Sequence, residues 1–350
     1  MINLYGQEIK KLEELLISRG QKKFRATQLF SWIYEKKVTD FDEMSDVSKT
    51  FREELKRDFC LVQPKIFKKQ VSNDGTIKLL LELEDGSKVE TALMPYNYGN
   101  AICVSSQVGC NMACAFCASG LLKKKRNLEV HEMVGQILVM NKLLEERNER
   151  VTHIVVMGTG EPFDNYDNVL DFVRIANHPK GFAIGARHIT ISTCGIVPGI
   201  LRYAKEGLQT NLAISLHAPN DEIRNKIMPI SKGYPLDKLM EAVRFYEREA
   251  GRRVTFEYIM LKNVNDSIEH AKELVKLIKG TLAYVNLIPY NPVDENSFER
   301  SPDKAVHDFM SYLMKHGVNT TVRKEFGNDI DAACGQLRAK EHYEEERRKN

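Results

Sequence analysis

The sequence lacks the features that mark secreted, membrane-spanning and strongly basic proteins. Its first residues do not show the basic-then-apolar pattern of a secretory signal, and no run of about 18 or more apolar residues occurs. The formal net charge is only +3, because 51 lysines and arginines nearly balance 48 aspartates and glutamates. Any affinity for a polyanion would therefore come from local clusters of charge. We expect a soluble, cytoplasmic protein with no membrane partner.

A fourth thiol is missing from the cysteine-rich stretch CNMACAFC, residues 110–117. A structural zinc site usually has four ligands in two separated pairs, so Cys110, Cys114 and Cys117 leave such a site one ligand short. Three thiols can instead hold three corners of a [4Fe–4S] cluster and leave one iron open to a small molecule. The spacing favours this cluster, and a zinc site completed by a distant cysteine or histidine is the alternative.

The remaining cysteines are too scattered to form a second motif. In a reducing compartment, structural disulfide bonds are not expected among them. Cys60 and Cys194 are interpreted as ordinary core residues. Cys103 lies in a β-type run before the cysteine cluster, and Cys334 lies in the turn-rich segment FGNDIDAACGQL. For an isolated cysteine, burial in the core is the usual outcome, since free cysteine is among the most buried residue types.

The pattern of apolar residues divides the 350-residue chain into four parts. Residues 1–60 have apolar residues at helical spacing and predict a small helical domain. Residues 61–100 predict a β-hairpin extension, because Asp74-Gly75 and Asp85-Gly86 lie where turns would separate β-rich runs. Residues 101–340 predict a core of alternating strands and helices, and residues 341–350 form a charged tail.

Within the core, six apolar β-type runs alternate with helix-like segments. The runs lie at about 101–106, 153–158, 187–192, 211–216, 253–260 and 283–288, and a seventh, NTTVRK, follows the last helix. Repeated βα units predict a parallel sheet with right-handed crossovers. The pattern allows either an open doubly wound sheet or a full or partial barrel.

Residues capable of binding or catalysis follow the predicted strands. The cysteine cluster follows the first strand and GTGEP the second, STCG follows the third, SLHAPN the fourth and Tyr290-Asn291-Pro292 the sixth. Each short motif alone is a weak signal, since strand ends often carry turn and capping residues. All of them nevertheless lie at the carboxyl ends of strands, the face where barrels and open parallel sheets bind ligands.

The CxxxCxxC loop after the first strand of a βα repeat resembles that of the radical S-adenosylmethionine (SAM) superfamily. The resemblance implies an α/β fold with a partial (βα)6 barrel, a [4Fe–4S] cluster held by Cys110, Cys114 and Cys117, and SAM bound at the open iron. It also implies a set of SAM-binding residues: Gly160, Glu161, Ser192, Ser215, Leu216, His217 and Asn291.

Seven segments in order resemble the RlmN family, radical SAM enzymes that methylate C2 of adenine in RNA. They are CVSSQVGCNMACAFC, MGTGEP, ISTCG, SLHAPNDEIR, VNDSIEHA, NLIPYNP and FGNDIDAACGQL. The resemblance implies methylation of adenine 2503 in 23S rRNA and of adenine 37 in tRNAs. It further implies that domain 1–60 takes part in RNA recognition, that flavodoxin or ferredoxin donates the electron, and that the protein is a monomer.

The same resemblance implies catalytic roles for Cys334, Cys103 and Glu90. One SAM methylates Cys334, and a second yields a 5′-deoxyadenosyl radical that removes hydrogen from this methyl group. The resulting carbon radical adds to adenine C2, and Glu90 acts as the general base for the C2 proton. Cys103 then attacks the sulfur of Cys334, which releases the product and leaves a transient disulfide bond.

Rival interpretations remain at several points. Relatives that methylate C8 of the same adenosine carry the same five cysteines, although Pro162 and the LIPYNP run favour the C2 family. A non-catalytic Fe–S or zinc RNA-binding regulator would leave Cys103 and Cys334 without a role. Without the resemblance, Glu90 is interpreted as an exposed carboxylate on a hairpin strand. For the N-terminal unit, a scaffold without RNA contact is the alternative. The basic segments RGQKKFR, FSWIYEKK, PKIFKKQ and KKKR indicate either an RNA-binding surface or solvated faces.

Overall fold

The structure is a computed structural model, and the residues described here are 1–292, 296–330, 337, 338, 340, 341 and 347, with Leu121 described for its backbone only. The predicted catalytic residue Cys334 and most of the predicted tail 341–350 lie outside the described residues.

The first 60 residues form a helical unit, as their apolar spacing predicts. Ser48 begins its last helix, since the hydroxyl of Ser48 accepts a hydrogen bond from the backbone of Phe51. The apolar faces of the three helices meet in a core of fully buried side chains that includes Leu12, Phe30 and Leu55. The elements are β1 (Ile2–Asn3), α1 (Ile9–Ser18), α2 (Phe24–Phe30), α3 (Lys49–Asp58) and β2 (Phe59–Cys60), with β1 and β2 paired in parallel.

Three antiparallel strands follow the helical unit: β3 (Lys65–Val71), β4 (Ile77–Glu82) and β5 (Lys88–Tyr96). Asp74-Gly75 and Asp85-Gly86 lie in the two turns, which confirms the hairpin prediction. The Asp74 carboxylate accepts a hydrogen bond from the backbone of Thr76 at 2.9 Å, and Asp85 makes the same contact with Ser87 at 2.9 Å. Strand β5 pairs antiparallel with the next strand, so the hairpins extend the main sheet.

The rest of the described chain alternates strands and helices. The strands are β6 (Gly99–Cys103), β7 (Gln107–Val108), β8 (Arg126–Asn127), β9 (Val151–Val156), β10 (Ile189–Thr193), β11 (Asn211–Ser215), β12 (Val254–Met260), β13 (Tyr284–Pro289) and β14 (Asn319–Val322). The helices are α4 (Val130–Leu144), α5 (Tyr166–Asn177), α6 (Val197–Tyr203), α7 (Asp221–Ile227), α8 (Leu236–Ala250), α9 (Ile268–Leu277) and α10 (Asp303–Lys315).

The main sheet decides between the two topologies that the sequence allows. Its strand order is β14-β13-β12-β11-β10-β9-β6-β5-β4-β3, and every pair from β6 to β14 is parallel. Consecutive strands are therefore neighbours, and right-handed crossovers then place all the helices on one face. A doubly wound sheet would instead reverse its order partway. With β3 and β14 as its edges, the sheet is an open partial barrel, which confirms the predicted fold.

The core of the barrel lies between the sheet and its helices. Central strand residues such as Ile154, Ile191, Leu212 and Phe256 are fully buried. Buried apolar residues recur at every second position of these strands, as at Ile189 and Ile191 or Val254 and Phe256, so one face of the sheet packs in the core. In the described part of the chain, no helix has the length and apolar character needed to cross a membrane.

Candidate active site

Two adjoining cavities open at the carboxyl ends of the parallel strands. The cluster cavity, about 210 Å³ in volume, is lined by the three cysteines of the CNMACAFC stretch and by the ends of β9 to β12. The hairpin cavity, about 230 Å³ in volume, is lined by β4, β5, the end of β6 and residues that follow β13 and β14. The residues lining both cavities are Phe116, Cys117, Gly158, Ile259, Ile288 and Arg323. The two cavities therefore share a wall.

The cysteine loop runs between the short antiparallel strands β7 and β8, which close its base. Cys110 donates its backbone N–H to the carbonyl of Leu122 at 2.9 Å, so the two arms of the loop are joined above this base. Gly109 has a φ of +75°, and a Cβ there would lie 2.2 Å from the carbonyl oxygen of Lys123. Only glycine allows the arms to approach so closely.

The three thiols of this loop fit a cluster that needs three protein ligands. Cys110, Cys114 and Cys117 come from one loop and line one cavity. Burial raises the pKa of Cys110 to about 11, and Cys117 adds to this shift. Burial also raises the pKa of Cys114, with further contributions from Cys117 and Cys110. The thiols thus influence one another within one cavity, and the iron of a bound cluster would stabilise their thiolates.

The second loop places Gly160 and Glu161 on the cluster cavity. Gly160 has a φ of +114°, and a Cβ there would lie 2.7 Å from the side chain of Gln107. The buried Glu161 carboxylate accepts hydrogen bonds from the backbone N–H groups of Phe163 at 2.9 Å and Cys194 at 2.7 Å. Burial raises the pKa of Glu161. This side chain thus joins the loops that follow β9 and β10.

Three more predicted SAM-binding residues line the same cavity, namely Ser192, Ser215 and His217. His217 has a φ of +58°, and its Nδ1 accepts a hydrogen bond from the backbone of Ile259 at 3.0 Å. Burial and the nearby Arg224 lower the pKa of His217 to about 3. His217 is therefore a neutral imidazole at physiological pH, fixed in orientation by the strand beside it.

Two predicted SAM-binding residues lie elsewhere. The Leu216 side chain is fully buried in the main core and is not among the residues that line either cavity. Its backbone N–H donates to the carbonyl of Glu257 at 3.1 Å, and its own carbonyl accepts from Arg224 at 3.1 Å. Asn291 lines the hairpin cavity. The predicted set therefore spans the wall between the cavities.

The hairpin cavity contains the other two predicted catalytic residues that the structure describes. Cys103 ends β6 and lies opposite Ala92 on β5, which lies opposite Lys78 on β4. Glu90 precedes Ala92 by two residues and therefore shares its face of the sheet. Glu90 is 5% exposed, so its interpretation as an exposed carboxylate is wrong. Cys103 is also buried.

The Glu90 carboxylate has two neighbours that the sequence did not indicate. One oxygen lies 3.1 Å from the ammonium nitrogen of Lys78, and the other accepts the backbone N–H of Arg338 at 2.5 Å. Arg338 follows Cys334 by four positions in the sequence. On the other side of Cys334, Gly327 donates its N–H to the carboxylate of Asp74 at 2.8 Å. Described residues on both sides of Cys334 thus contact the hairpin extension.

Sequence reasoning missed three cations at the site. Arg224 is fully buried and donates to the carbonyls of Cys194 at 2.7 Å and Leu216 at 3.1 Å, so it joins the ends of β10 and β11. Arg323 follows β14 and lines both cavities. Lys78 interrupts the apolar run TIKLLLEL. That interruption was a usable signal, because a lysine inside a buried strand needs an anionic partner.

Comparison with known proteins agrees with this geometry. Residues 104–278 match the family model of the radical SAM superfamily, and residues 2–61 match the ribosomal RNA large subunit methyltransferase N-terminal domain. The crystal structure of a radical SAM methyltransferase from Sphaerobacter thermophilus superposes with a TM-score of 0.91 at 43% identity, covering 97% of this chain and 100% of that one. A partial barrel with a three-cysteine loop after its first parallel strand defines a radical SAM enzyme, and the cofactors of this superfamily are a [4Fe–4S] cluster and SAM.

Two curated relatives narrow the assignment. Both are described as "Probable dual-specificity RNA methyltransferase RlmN". The protein from Geobacillus kaustophilus is 55% identical over 345 residues, covering 99% of this chain and 94% of the relative. The protein from Spiroplasma citri is 57% identical over 340 residues, covering 97% and 98%. The chain belongs to the RlmN family.

Proposed function

We propose that the protein adds a methyl group to C2 of adenine 2503 in 23S rRNA and of adenine 37 in tRNAs. The observation that carries this proposal is the shared wall between the cavities: Cys103 and Glu90 line one, and the cluster cysteines line the other. Radical formation and base modification would thus occur in two adjacent cavities with a common wall. A non-catalytic RNA-binding protein would have no use for a buried thiol and carboxylate at this place.

In the cluster cavity, Cys110, Cys114 and Cys117 would hold the [4Fe–4S] cluster, with SAM against the loops that contain Gly160, Ser192, Ser215 and His217. When bound, these cofactors supply a 5′-deoxyadenosyl radical. Adenine C2 is an electron-poor carbon without a lone pair, so it cannot attack the methyl group of SAM directly. Carbon-radical addition avoids this difficulty, which is why an RNA methyltransferase would need this cavity.

In the hairpin cavity, Glu90 would accept the C2 proton and Cys103 would release the product from Cys334. Both groups are buried, and burial strengthens the electrostatic interactions of a base with its substrate. The contacts of Gly327 with Asp74 and of Arg338 with Glu90 support a role for the segment between them at this cavity. A Cys103–Cys334 disulfide bond would form once per turnover and be reduced again.

RNA would bind near the hairpin extension, and the basic segments contribute unequally. Lys124 lies 2.7 Å from Asp164, and Arg126 lies 2.7 Å from Glu132, so acidic groups already neutralise much of this run. Strand β3, at the sheet edge, exposes Lys65, Phe67 and Lys69, a basic and aromatic surface of the kind that binds nucleic acid. We further propose that the protein acts as a cytoplasmic monomer reduced by flavodoxin or ferredoxin.

Two cysteine variants test this function. With anaerobically reconstituted enzyme, reductant, SAM and an RNA fragment, Cys103→Ala should retain RNA covalently on the protein, visible as a shifted band on a denaturing gel. Cys334→Ala should give neither the shifted band nor methylated RNA. Cys60→Ala, which removes a thiol from β2 in the helical unit, should turn over normally. Full turnover by either Cys103→Ala or Cys334→Ala would refute the two-cysteine mechanism.

A further inference from the structure

Lys78 is a buried cation in the wall of the hairpin cavity. Its side chain is only 2% exposed, and it lines the cavity together with Glu90 and Cys103. Transferring an ammonium group out of water is costly, so a lysine at such a position needs a specific electrostatic partner. Glu90, at 3.1 Å, is such a partner.

The strand register determines the position of Lys78 relative to Glu90 and Cys103. Lys78, Ala92 and Cys103 are directly opposite one another on β4, β5 and β6, so their side chains share one face of the sheet. Ala92 is the middle residue of this row, and its small side chain leaves space between Lys78 and Cys103. All three residues line the hairpin cavity. A substrate atom within reach of Glu90 therefore has an ammonium group beside it.

We propose that Lys78 contacts the substrate directly and donates a hydrogen bond to N1 or N3 of the target adenine. This inference rests on the proposed function, in which Glu90 removes the proton of adenine C2. C2 lies between N1 and N3, and both ring nitrogens are hydrogen-bond acceptors. Lysine can only donate hydrogen bonds. The ammonium group of Lys78 lies 3.1 Å from the carboxylate of Glu90. It can therefore donate to the adenine ring nitrogen next to the C2 proton that Glu90 removes.

The hydrogen bond has two chemical consequences. It withdraws electron density from C2, which favours addition of an electron-rich carbon radical and makes the C2 proton more acidic. Lys78 keeps its own proton throughout, so the stoichiometry of the reaction does not change.

RNA analogues test the contact atom by atom. The substrate is an RNA hairpin with adenosine, 1-deazaadenosine, 3-deazaadenosine or 7-deazaadenosine at the target position, and the readout is the single-turnover rate of covalent adduct formation in the Cys103→Ala background. Removing the contacted nitrogen, N1 or N3, should slow the reaction about 10- to 100-fold, as expected for a hydrogen bond from a charged donor. The 7-deaza analogue should react like adenosine.

Variants of Lys78 complete the test. Lys78→Met should slow the reaction with unmodified RNA. The deaza RNA that reacts slowly with the protein that has Lys78 intact should then react with Lys78→Met at the same rate as unmodified RNA. Lys78→Gln, which retains a donor, should keep part of the sensitivity. Lys78→Met would also react slowly if Lys78 only formed an ion pair with Glu90. In that case the deaza substitution would slow the variant by the same factor as it slows the protein with Lys78 intact.

Three results would overturn the inference. Independent, multiplicative losses from Lys78→Met and the deaza analogues would show that Lys78 acts on Glu90 alone. Equal rates with all four RNAs in the protein with Lys78 intact would show that neither nitrogen is contacted, whether or not the variants fold. Absence of 2-methyladenosine from unmodified RNA with the wild-type enzyme would refute the proposed function, and this inference with it.

Discussion

The cluster cavity and the hairpin cavity lie side by side but are built in different ways. The cluster cavity is formed by loops that follow successive parallel strands, so each functional residue lies at the same level of a repeated βα unit. The hairpin cavity is formed by the faces of β4 and β5, near one edge of the sheet, and by residues that follow β13 and β14, at the other edge. One cavity belongs to the barrel, and the other depends on the extension added to it.

This difference suggests a division of labour. In the proposed function, the barrel holds the cluster and SAM, and the hairpin extension supplies Glu90 as the base. Phe116 and Cys117 line both cavities and connect them. Loss of a cluster cysteine should therefore abolish radical formation, whereas a change at Glu90 or Cys103 should spare it and affect only transfer to RNA.

The largest effect is expected for the cluster ligands. Cys117→Ser should reduce iron incorporation and bring 5′-deoxyadenosine formation to background, measured by iron analysis and chromatography. Cys194→Ser is a matched control, because Cys194 lines the same cavity while its side chain packs against apolar residues such as Ala118 and Met228. It should keep its cluster. Equal loss of iron in both variants would contradict the assignment of ligands.

The next effect concerns the base in the hairpin cavity. Glu90→Gln should slow methyl transfer by about 100- to 10,000-fold, the range of general base catalysis. It should leave 5′-deoxyadenosine formation in the absence of RNA unchanged. Glu84→Gln, which changes an exposed carboxylate in the turn between β4 and β5, should react normally. If Glu90→Gln also stopped 5′-deoxyadenosine formation, the two cavities would not be functionally separable.

A smaller effect involves stability in the wall of the cluster cavity. Burial and Arg224 lower the pKa of His217 from 6.5 to about 3, so between these values the unfolded chain binds a proton that the folded chain does not. This group has no effect on the pH dependence of stability above pH 6.5, and it destabilises the folded state increasingly as the pH falls from 6.5 towards 3. The slope is at most about 1.4 kcal/mol per pH unit. Urea unfolding from pH 7.5 to 5 should show a weaker pH dependence for His217→Gln, and identical curves would contradict this account.

The smallest effect concerns RNA affinity at the edge of the hairpin extension. Lys69→Ala on β3 should weaken RNA binding a few-fold and lower the slope of log affinity against log salt by about one, as for a single phosphate contact. Lys238→Ala, an exposed change on helix α8, should alter neither quantity. Binding titrations at several salt concentrations measure the RNA affinity and its salt dependence. An unchanged slope for Lys69→Ala would show that this surface does not bind the RNA backbone.

The barrel was predictable because it follows from repetition. Alternating apolar runs and helix-like segments define parallel strands, and the consecutive order of β9 to β14 then places Gly160, Ser192 and His217 on one cavity. The hairpin turns were equally visible, since Asp-Gly pairs interrupt β-rich runs. Local sequence signals and the long-range topology agree in these regions.

The hairpin cavity was less predictable because its residues meet only through strand register and long-range contacts. No local pattern shows that Lys78 lies opposite Ala92, or that Arg323 reaches both cavities. For Glu90, the resemblance suggested the role, while the burial that makes the role plausible required the structure. The backbone contacts of Leu216 with Glu257 and Arg224 were also not predictable, because no local sequence pattern indicates them.

The most direct test of the account is nucleoside mass spectrometry of 23S rRNA and tRNA incubated with anaerobically reconstituted enzyme, reductant and SAM. We expect 2-methyladenosine from the wild-type protein and none from Glu90→Gln over the same time. Only 8-methyladenosine would contradict the C2 assignment and identify the protein as a C8-methylating relative. No methylated adenosine at all would show that the two cavities do not act together on an RNA base.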